Sequence, residues 1–373
     1  MSKGLTLFTS QRIDENLTFK NRVVLAPLTR GRSGRSQVPN DANVKYYTQR
    51  ANAGLMISEG TIVSKGGMGW AGAAALYSPE HVEGWKNVTK SVHEANGVIF
   101  AQLWHMGRAA SSCFHGLQPV SASAIAAQGQ VTDYDGTKIP YETPRALETH
   151  EIAEVVEEYR KAASNAKDAG FDGVEIHAAN GYFLDGFLQS CSNVRTDQYG
   201  GSHENRFRIV AEVIEAIQTV FPSSRIGIRL APNGVFNSMG SADNYEAFQY
   251  YMSRLNIYGL GYLHVMDGLG FGFHNLCKQI KLADVRKVYE GVIIGNVGYE
   301  KLTAEGALNT GAVDLIAFGR PYISNPDLVE RFCNDYPLAE GDYSTYYSYP
   351  NFPEGDANIG YTDYPAYVPK ENI

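Results

Sequence analysis

The chain has 373 residues, 44% hydrophobic and 19% charged, with a formal net charge of -8. That is an ordinary globular composition, long enough for one large α/β domain or two average ones. No basic cluster is present, which argues against nucleic acid as a partner. No apolar run approaches the length of a membrane span, and the N-terminal MSKGLTLF has no apolar signal region, so a cytoplasmic protein without membrane association is expected. Cys113, Cys191, Cys277 and Cys333 are widely spaced in no metal-ligand pattern, which fits a reduced protein with no bound metal.

Residues 1–22 read as a hairpin, with Leu5, Leu7 and Phe8 before a polar turn and Leu17 and Phe19 after it. A rhythm then begins. Val23-Val24-Leu25-Ala26 is a short strand ending in Pro27-Leu28-Thr29-Arg30, and residues 43–53 carry a helical pattern that Gly54 stops. Leu55-Met56-Ile57 is a second strand, ending in Ser58-Glu59-Gly60-Thr61. Ser78-Pro79-Glu80 is a helix start, with a capping Ser, Pro at the first helical position and an acid in the first turn. Trp85, Val88, Val92 and Ala95 supply its apolar stripe. Val98-Ile99-Phe100-Ala101 opens a third strand, ending in Gln102-Leu103-Trp104-His105.

Residues 109–148 break the rhythm. They are rich in Ser, Ala, Gly and Pro, and a structureless loop of that length is unusual, so a small β insertion over the site is expected. The rhythm resumes with a helical stripe from Ile152 to Ala166 and a fourth strand, Val174-Glu175-Ile176. Another helical stripe leads to the fifth strand, Ile226-Gly227-Ile228, ending in Arg229. The sixth is Tyr262-Leu263-His264-Val265, ending near Asp267; a helix over 278–289 leads to the seventh, Val292-Ile293-Ile294. A helix over 300–309 leads to the eighth, Leu315-Ile316-Ala317-Phe318. Residues 335–373 are rich in Tyr and Pro and read as a tail wrapped over the rest.

Eight short apolar strands, each followed by a helical crossover, imply a parallel sheet buried on both faces. The expectation is a single α/β chain of the (β/α)8 barrel class spanning 1–373. A doubly wound open sheet is the alternative, but no GxGxxG follows the first strand.

In a barrel, chemistry sits where strands end. His177 and Asn180 are donors three positions apart in a turn that can aim both at one point, so they can share a carbonyl oxygen and stabilise negative charge growing on it. Tyr182 is the adjacent candidate proton donor. The competing reading is a His and an Asn that satisfy loop backbone groups. Gln102 and Trp104 share a strand face. Arg229 is a cation in the barrel interior that needs an anion, either Glu59, Glu175 or a cofactor that becomes anionic on reduction. Gly295-Asn296 and Gly319-Arg320 end the last two strands, where barrels often bind phosphate. The immediate strand ends carry no Lys, and no GxSxG occurs, which disfavours Schiff-base and serine-nucleophile chemistry.

Taken in order, Ala26-Pro27-Leu28-Thr29-Arg30, Gln102-Leu103-Trp104-His105-Met106-Gly107-Arg108, His177-Ala178-Ala179-Asn180-Gly181-Tyr182, the run from Asn193 to Ser202, Glu204-Asn205-Arg206, Phe318-Gly319-Arg320-Pro321 and Gly360-Tyr361-Thr362-Asp363-Tyr364-Pro365 make the chain resemble the old yellow enzyme family of FMN-dependent ene-reductases. The yeast and plant branch, which includes the plant 12-oxophytodienoate reductases, is the most similar, and Thr29 in place of a Cys supports that branch. The resemblance implies bound FMN, transient NADPH or NADH, and a small-molecule enone or related activated alkene as substrate. It implies that His177 and Asn180 hold the substrate carbonyl, that Tyr182 donates a proton, and that Trp104 and either Tyr346 or Tyr347 wall the pocket. It further implies that Pro27, Leu28, Thr29, Gly60, Gln102 and Arg229 meet the flavin ring, and that Gly295, Asn296, Gly319 and Arg320 hold its phosphate. A monomer and a homodimer both fit. Two rival readings remain: a non-catalytic FMN redox sensor or scaffold, and another FMN-barrel oxidoreductase.

Overall fold

Each apolar run expected to form a strand does so. In the computed structural model, which describes residues 4–369, eight strands pair in parallel and in chain order into a closed barrel. They are β1 (Val23–Leu25), β2 (Leu55–Ile62), β3 (Ile99–Trp104), β4 (Gly173–Ala178), β5 (Ile226–Leu230), β6 (Tyr262–Met266), β7 (Ile293–Asn296) and β8 (Leu315–Phe318). Helices α1 (Asp41–Gln49), α2 (Pro79–Glu94), α3 (Ile152–Asp168), α4 (His203–Gln218), α5 (Asn244–Leu255), α6 (Leu282–Arg286) and α7 (Lys301–Asn309) make the crossovers. The start of α2 follows the sequence signals: Ser78 Oγ accepts from the His81 amide, and Pro79 occupies the first turn. Trp85, Val88 and Val92 are fully buried against the barrel, each burial worth about 1.5–3 kcal/mol.

The chain closes the N-terminal end of the barrel with an antiparallel hairpin, Gln11–Arg12 against Thr18–Phe19. Its Leu17 and Phe19 pack with Val24, Leu55, Phe100, Tyr262 and Leu315. The segment carrying Leu7 and Phe8 is a 3-10 turn, Thr6–Phe8, ahead of that hairpin. Inside the barrel, a Cβ at Gly227 would lie 2.2 Å from the Tyr262 ring, so the missing side chain on β5 is the space that the neighbouring tyrosine fills.

Two elements differ from expectation. Strand β2 runs through Ser58-Glu59-Gly60-Thr61, with a register shift between Ile57 and Gly60 against β3. The bulge turns Glu59 outward to α1, where the Glu59 amide donates to Tyr47 Oη at 2.8 Å and Asn43 Nδ2 approaches Glu59 Oε1 at 3.5 Å. Glu59 is therefore not the partner of Arg229. Helix α6 is only five residues long. The Ile280 amide donates to Asn233 Oδ1 at 2.9 Å and its carbonyl accepts from Asn233 Nδ2 at 2.8 Å, so both backbone groups are taken up outside a helix.

Residues 109–148 form β structure, as expected. Val120–Ser121 pairs in parallel with Arg145–Ala146, and Gln130–Thr132 pairs with Lys138–Pro140 as a hairpin. The tail returns over the barrel and is held by buried arginines that follow β1. Arg30 donates to the carbonyls of Tyr346 and Gly360, both at 2.7 Å. Arg32 donates to those of Thr345 at 2.7 Å and Ile359 at 3.1 Å. The Tyr361 ring lies 5.2 Å from both guanidinium carbons and stacks on Tyr46 at 4.2 Å. Carbonyl oxygens and ring faces thus take over the solvation that burial removes. The last residues of the tail, 370–373, lie outside the described residues.

Glu59 is the carboxylate beside these cations. Burial pushes it up from 4.5 to about 7, against the opposing pull of Arg30 and Arg32. Between these values the folded state holds a proton that the unfolded chain has released, so stability falls as pH rises from about 4.5 through 7. Burial also raises Asp185 and Asp267, each to about 6, whereas burial lowers His105, His177 and His264, whose protons the unfolded chain takes up near pH 6.5, so their contribution to the slope between pH 6 and 7 has the opposite sign to that of Glu59. Removing the carboxyl in Glu59→Gln is expected to make the change in stability from pH 6 to pH 7 more positive than in the wild type, measured as urea midpoints across pH. An unchanged slope would remove Glu59 as a contributor.

Candidate active site

Strand β4 is buried along its whole length and delivers His177 to the C-terminal mouth. Two left-handed residues follow, Asn180 with φ 61° and Gly181 with φ 71°. An Asn tolerates that conformation and a Gly adopts it freely. The turn is held from both sides. The Gly181 amide donates to Asp185 Oδ2 at 2.8 Å, and the Asn180 carbonyl accepts from Asn237 Nδ2 at 2.8 Å. Gln189 Nε2 donates to the other oxygen of Asp185 at 2.9 Å.

The reversal brings Tyr182 back onto the strand end. Its ring meets His177 edge-on at 5.1 Å and Trp104 edge-on at 4.9 Å, while Trp104 lies near parallel to His177 at 6.1 Å. A Cβ at Gly60 would sit 2.5 Å from the Trp104 ring, so only glycine lets β2 pass behind that wall. Burial, then Arg229 and His264, hold the His177 pKa well below its ordinary value. The imidazole is neutral and carries one N–H to donate. Burial pushes Tyr182 well above the usual phenol range, so its hydroxyl keeps its proton.

Beneath this corner the barrel interior is polar. Gln102 Nε2 donates to Glu175 Oε1 at 2.8 Å, and His264 Nδ1 lies 2.9 Å from Glu175 Oε2. Arg229 stands between His177 and His264 in the sheet register and donates to Asn296 Oδ1 at 2.7 Å. The Asn296 amide group is committed further: its Nδ2 donates to the Ala317 carbonyl at 2.8 Å, and its backbone N–H to Asp267 at 3.0 Å. Asn296 therefore enters the site as a brace for Arg229. Asp267, also accepting from Tyr299 Oη at 2.6 Å, braces β7 rather than facing the mouth.

Buried polar atoms normally have partners, yet Nε of Arg229 and Nδ1 of His177 have none within the protein. Nε1 of Trp104, Nε2 of His264 and Oη of Tyr262 are likewise without a partner, so the cluster as a whole has hydrogen-bonding capacity left over for a ligand. Pro27 is buried and Leu28 and Thr29 half-buried at the end of β1. A Cβ at Gly319 would come within 3.3 Å of Leu28, which joins the ends of β1 and β8. Gly295 is bare beside Asp267 and Tyr299, and the exposed Arg320 has its guanidinium 5.7 Å from the Phe271 and Tyr343 rings. Unpartnered donors, a flat indole wall, side-chain-free strand ends and one outer cation fit a flat heteroaromatic ring with an anionic tail, as FMN has.

Of the two candidate tail tyrosines, Tyr347 is the one at the site. It lies near enough to Tyr182 to act on its ionisation and meets Trp70 edge-on at 5.7 Å. The Tyr346 carbonyl is instead bound by Arg30, and its ring packs against Tyr343 at 5.1 Å. Sequence reasoning missed Trp70, Tyr141, Phe236 and Asn237. Tyr141 comes from the insertion and donates to Asn237 Oδ1 at 3.3 Å, and Phe236 meets Tyr182 at 6.4 Å. None ends a strand. His264 was also missed, although its place in the sixth strand put it level with Arg229.

A model of the NADH:flavin oxidoreductase / NADH oxidase family matches residues 6–338. A probable flavin mononucleotide-dependent alkene reductase of Leishmania infantum is 39% identical over 372 residues, 98% of each chain. The structure of an old yellow enzyme homologue from Zymomonas mobilis superposes with a TM-score of 0.91 at 41% identity, covering 97% of this chain and 100% of that one. Morphinone reductase in complex with tetrahydroNAD gives a TM-score of 0.89 at 41% identity, covering 97% and 98%.

The Asp185 carboxylate serves two donors, one on each oxygen. Asp185→Asn keeps the shape but leaves a single acceptor oxygen, so either Gly181 N–H or Gln189 loses its partner. A loss of about 1–3 kcal/mol is expected, read by chemical denaturation, with faster hydrogen exchange at the Gly181 amide.

Proposed function

The chain belongs to the NADH:flavin oxidoreductase / NADH oxidase family, as an old yellow enzyme that uses FMN and NAD(P)H to reduce the C=C bond of activated alkenes, and from that premise we propose that His177, Asn180 and Tyr182 carry the alkene half of the reaction. The observation that bears most weight is the pairing of a neutral buried imidazole with a protonated buried phenol, 5.1 Å apart between ring centres, against the Trp104 wall.

His177 and Asn180 hold the carbonyl oxygen of an α,β-unsaturated substrate. A neutral donor suits this task, because a hydrogen bond to that oxygen strengthens as it gains charge. The chemistry that FMN supplies when bound is hydride exchange, from NAD(P)H in one half-reaction and to the alkene β-carbon in the other. Tyr182 Oη gives its proton to the α-carbon, which completes the saturated carbonyl product, and the phenol regains a proton from solvent. Trp104 and Tyr347 wall the substrate, and Trp70 supports both by ring contact.

On the cofactor side, Gln102 and Arg229 would hold the polar pyrimidine edge of the ring, with Asn296 keeping Arg229 in place. Thr29, Pro27, Leu28 and Gly60 would make the remaining contacts to the ring. Gly295, Gly319 and Arg320 take the phosphate. The chain is read as a single FMN-binding barrel over 1–373, with 109–148 as lid and 335–373 as tail. A small activated alkene is its partner and the cytoplasm its location. Among the described residues no helix is long and apolar enough to cross a membrane, and no cluster of His, Cys, Asp and Glu is placed to hold a metal.

Tyr182→Phe is expected to slow alkene reduction by about 10²–10⁴-fold while NAD(P)H still bleaches the flavin at its normal rate. The His177→Ala/Asn180→Ala double variant is expected to lose about 10²–10³-fold in enone turnover and to keep FMN. Stopped-flow measurement of the two half-reactions separates these outcomes. Normal enone turnover in either protein would sink the corresponding role.

A further inference from the structure

The barrel interior holds an acid that the reaction does not consume. Glu175 is fully buried and spends both carboxylate oxygens on neutral donors, Gln102 at 2.8 Å and His264 at 2.9 Å. A carboxylate only accepts hydrogen bonds. The contacts therefore place the amide N–H₂ of Gln102 and the Nδ1 proton of His264 on Glu175. Gln102 is left with its carbonyl oxygen as the group it can offer elsewhere, and Gln102 cannot turn over without setting that oxygen against the carboxylate.

The charge of Glu175 has one cationic counterpart in this interior, Arg229, on the next strand; its β4 register neighbour His177 is neutral. The two are not joined by a salt bridge. Arg229 bonds Asn296, keeps an unpartnered Nε and feels Glu175 through space. A buried pair whose members each bond neutral groups balances charge without quenching either donor. The guanidinium stays available to a ligand, while the field that it projects is partly cancelled.

We propose that Glu175 is a positioning residue for the flavin, an internal counter-charge that fixes the hydrogen-bonding sense of Gln102 and holds down the reduction potential that Arg229 would otherwise raise. The inference rests on the reading that Gln102 and Arg229 meet the pyrimidine edge. Two-electron reduction of the ring places negative charge at that edge, and the nearby carboxylate opposes it. Full compensation of Arg229 would leave reduced flavin unsupported; no compensation would hold reduced flavin too firmly to pass its hydride on.

The test is the midpoint potential of the purified holoenzyme, by dye-linked spectroelectrochemical titration, after FMN content has been read from its absorbance. In Glu175→Gln the charge is gone and the shape kept. Reduced FMN is expected to gain on oxidised FMN by about tenfold in relative affinity, which is about 30 mV upward for a two-electron couple. In Glu175→Asp the charge stays and the ratio is expected to remain within about twofold. Any FMN-holding variant whose potential stays unchanged where a shift is expected, or moves the opposite way, overturns the proposal. Wild-type protein that binds no FMN would instead overturn the underlying assignment of the site.

Discussion

The constraint on which this architecture depends is charge taken out of water inside a closed barrel. The lower interior poses no difficulty, since Leu17, Phe19, Phe100 and Tyr262 fill it with apolar surface. Above them the chain buries Glu175, Arg229, Gln102, His264 and Asn296 in adjoining strands. Desolvating isolated ions costs several kcal/mol each, and the barrel meets that cost by giving these charged groups neutral partners one or two strands away. The atoms left over include Arg229 Nε, His177 Nδ1 and Trp104 Nε1 around the strand ends, together with His264 Nε2 and Tyr262 Oη. At the strand ends, the protein's own hydrogen bonding leaves capacity that a ligand would take up.

The same problem is solved differently outside the barrel. Arg30, Arg32 and Arg50 are almost wholly buried, with Glu59 as the nearby acid. Their charge is spread over backbone carbonyls: Arg50 alone bonds those of Tyr322, Tyr46 and Ile323 at 2.8–2.9 Å. Aromatic faces complete the shell, with the Arg50 guanidinium 3.7 Å from the centre of the Tyr46 ring. The abundance of tyrosine in the chain, 24 residues in all, is partly explained here. Many of these rings serve arginines and the tail rather than a substrate.

Much of the fold was legible because fully buried parallel strands read as uninterrupted apolar runs, and because Gly, Pro and capping Ser mark the helix boundaries. The strand ends were legible for a complementary reason: a polar residue directly after such a run has nowhere to go but the mouth. That logic found His177, Gln102, Arg229 and Gly319. It failed at Glu59, because a bulge in β2 reverses which side chains face inward, and a bulge leaves little local trace. It failed at α6, because Asn233, more than 40 residues upstream, takes both backbone groups of Ile280. Tyr141, Phe236 and Asn237 reach Tyr182 from loops whose paths are set by tertiary contacts, and no periodicity encodes those.

The anchorage of the tail has a consequence for how the protein comes into being. Arg30 and its carbonyl partner on Tyr346 are 316 residues apart. During vectorial synthesis, at about 5–20 residues per second, roughly 15–60 s separate the emergence of one from the other. Throughout that interval the arginines beside the first strand have water or a chaperone for company, and the barrel cannot bury them. The electrostatic shell is therefore complete only once the segment carrying Thr345, Tyr346, Ile359 and Gly360 has emerged. A polypeptide that lacks that segment differs from the folded protein by an exposed cationic seam.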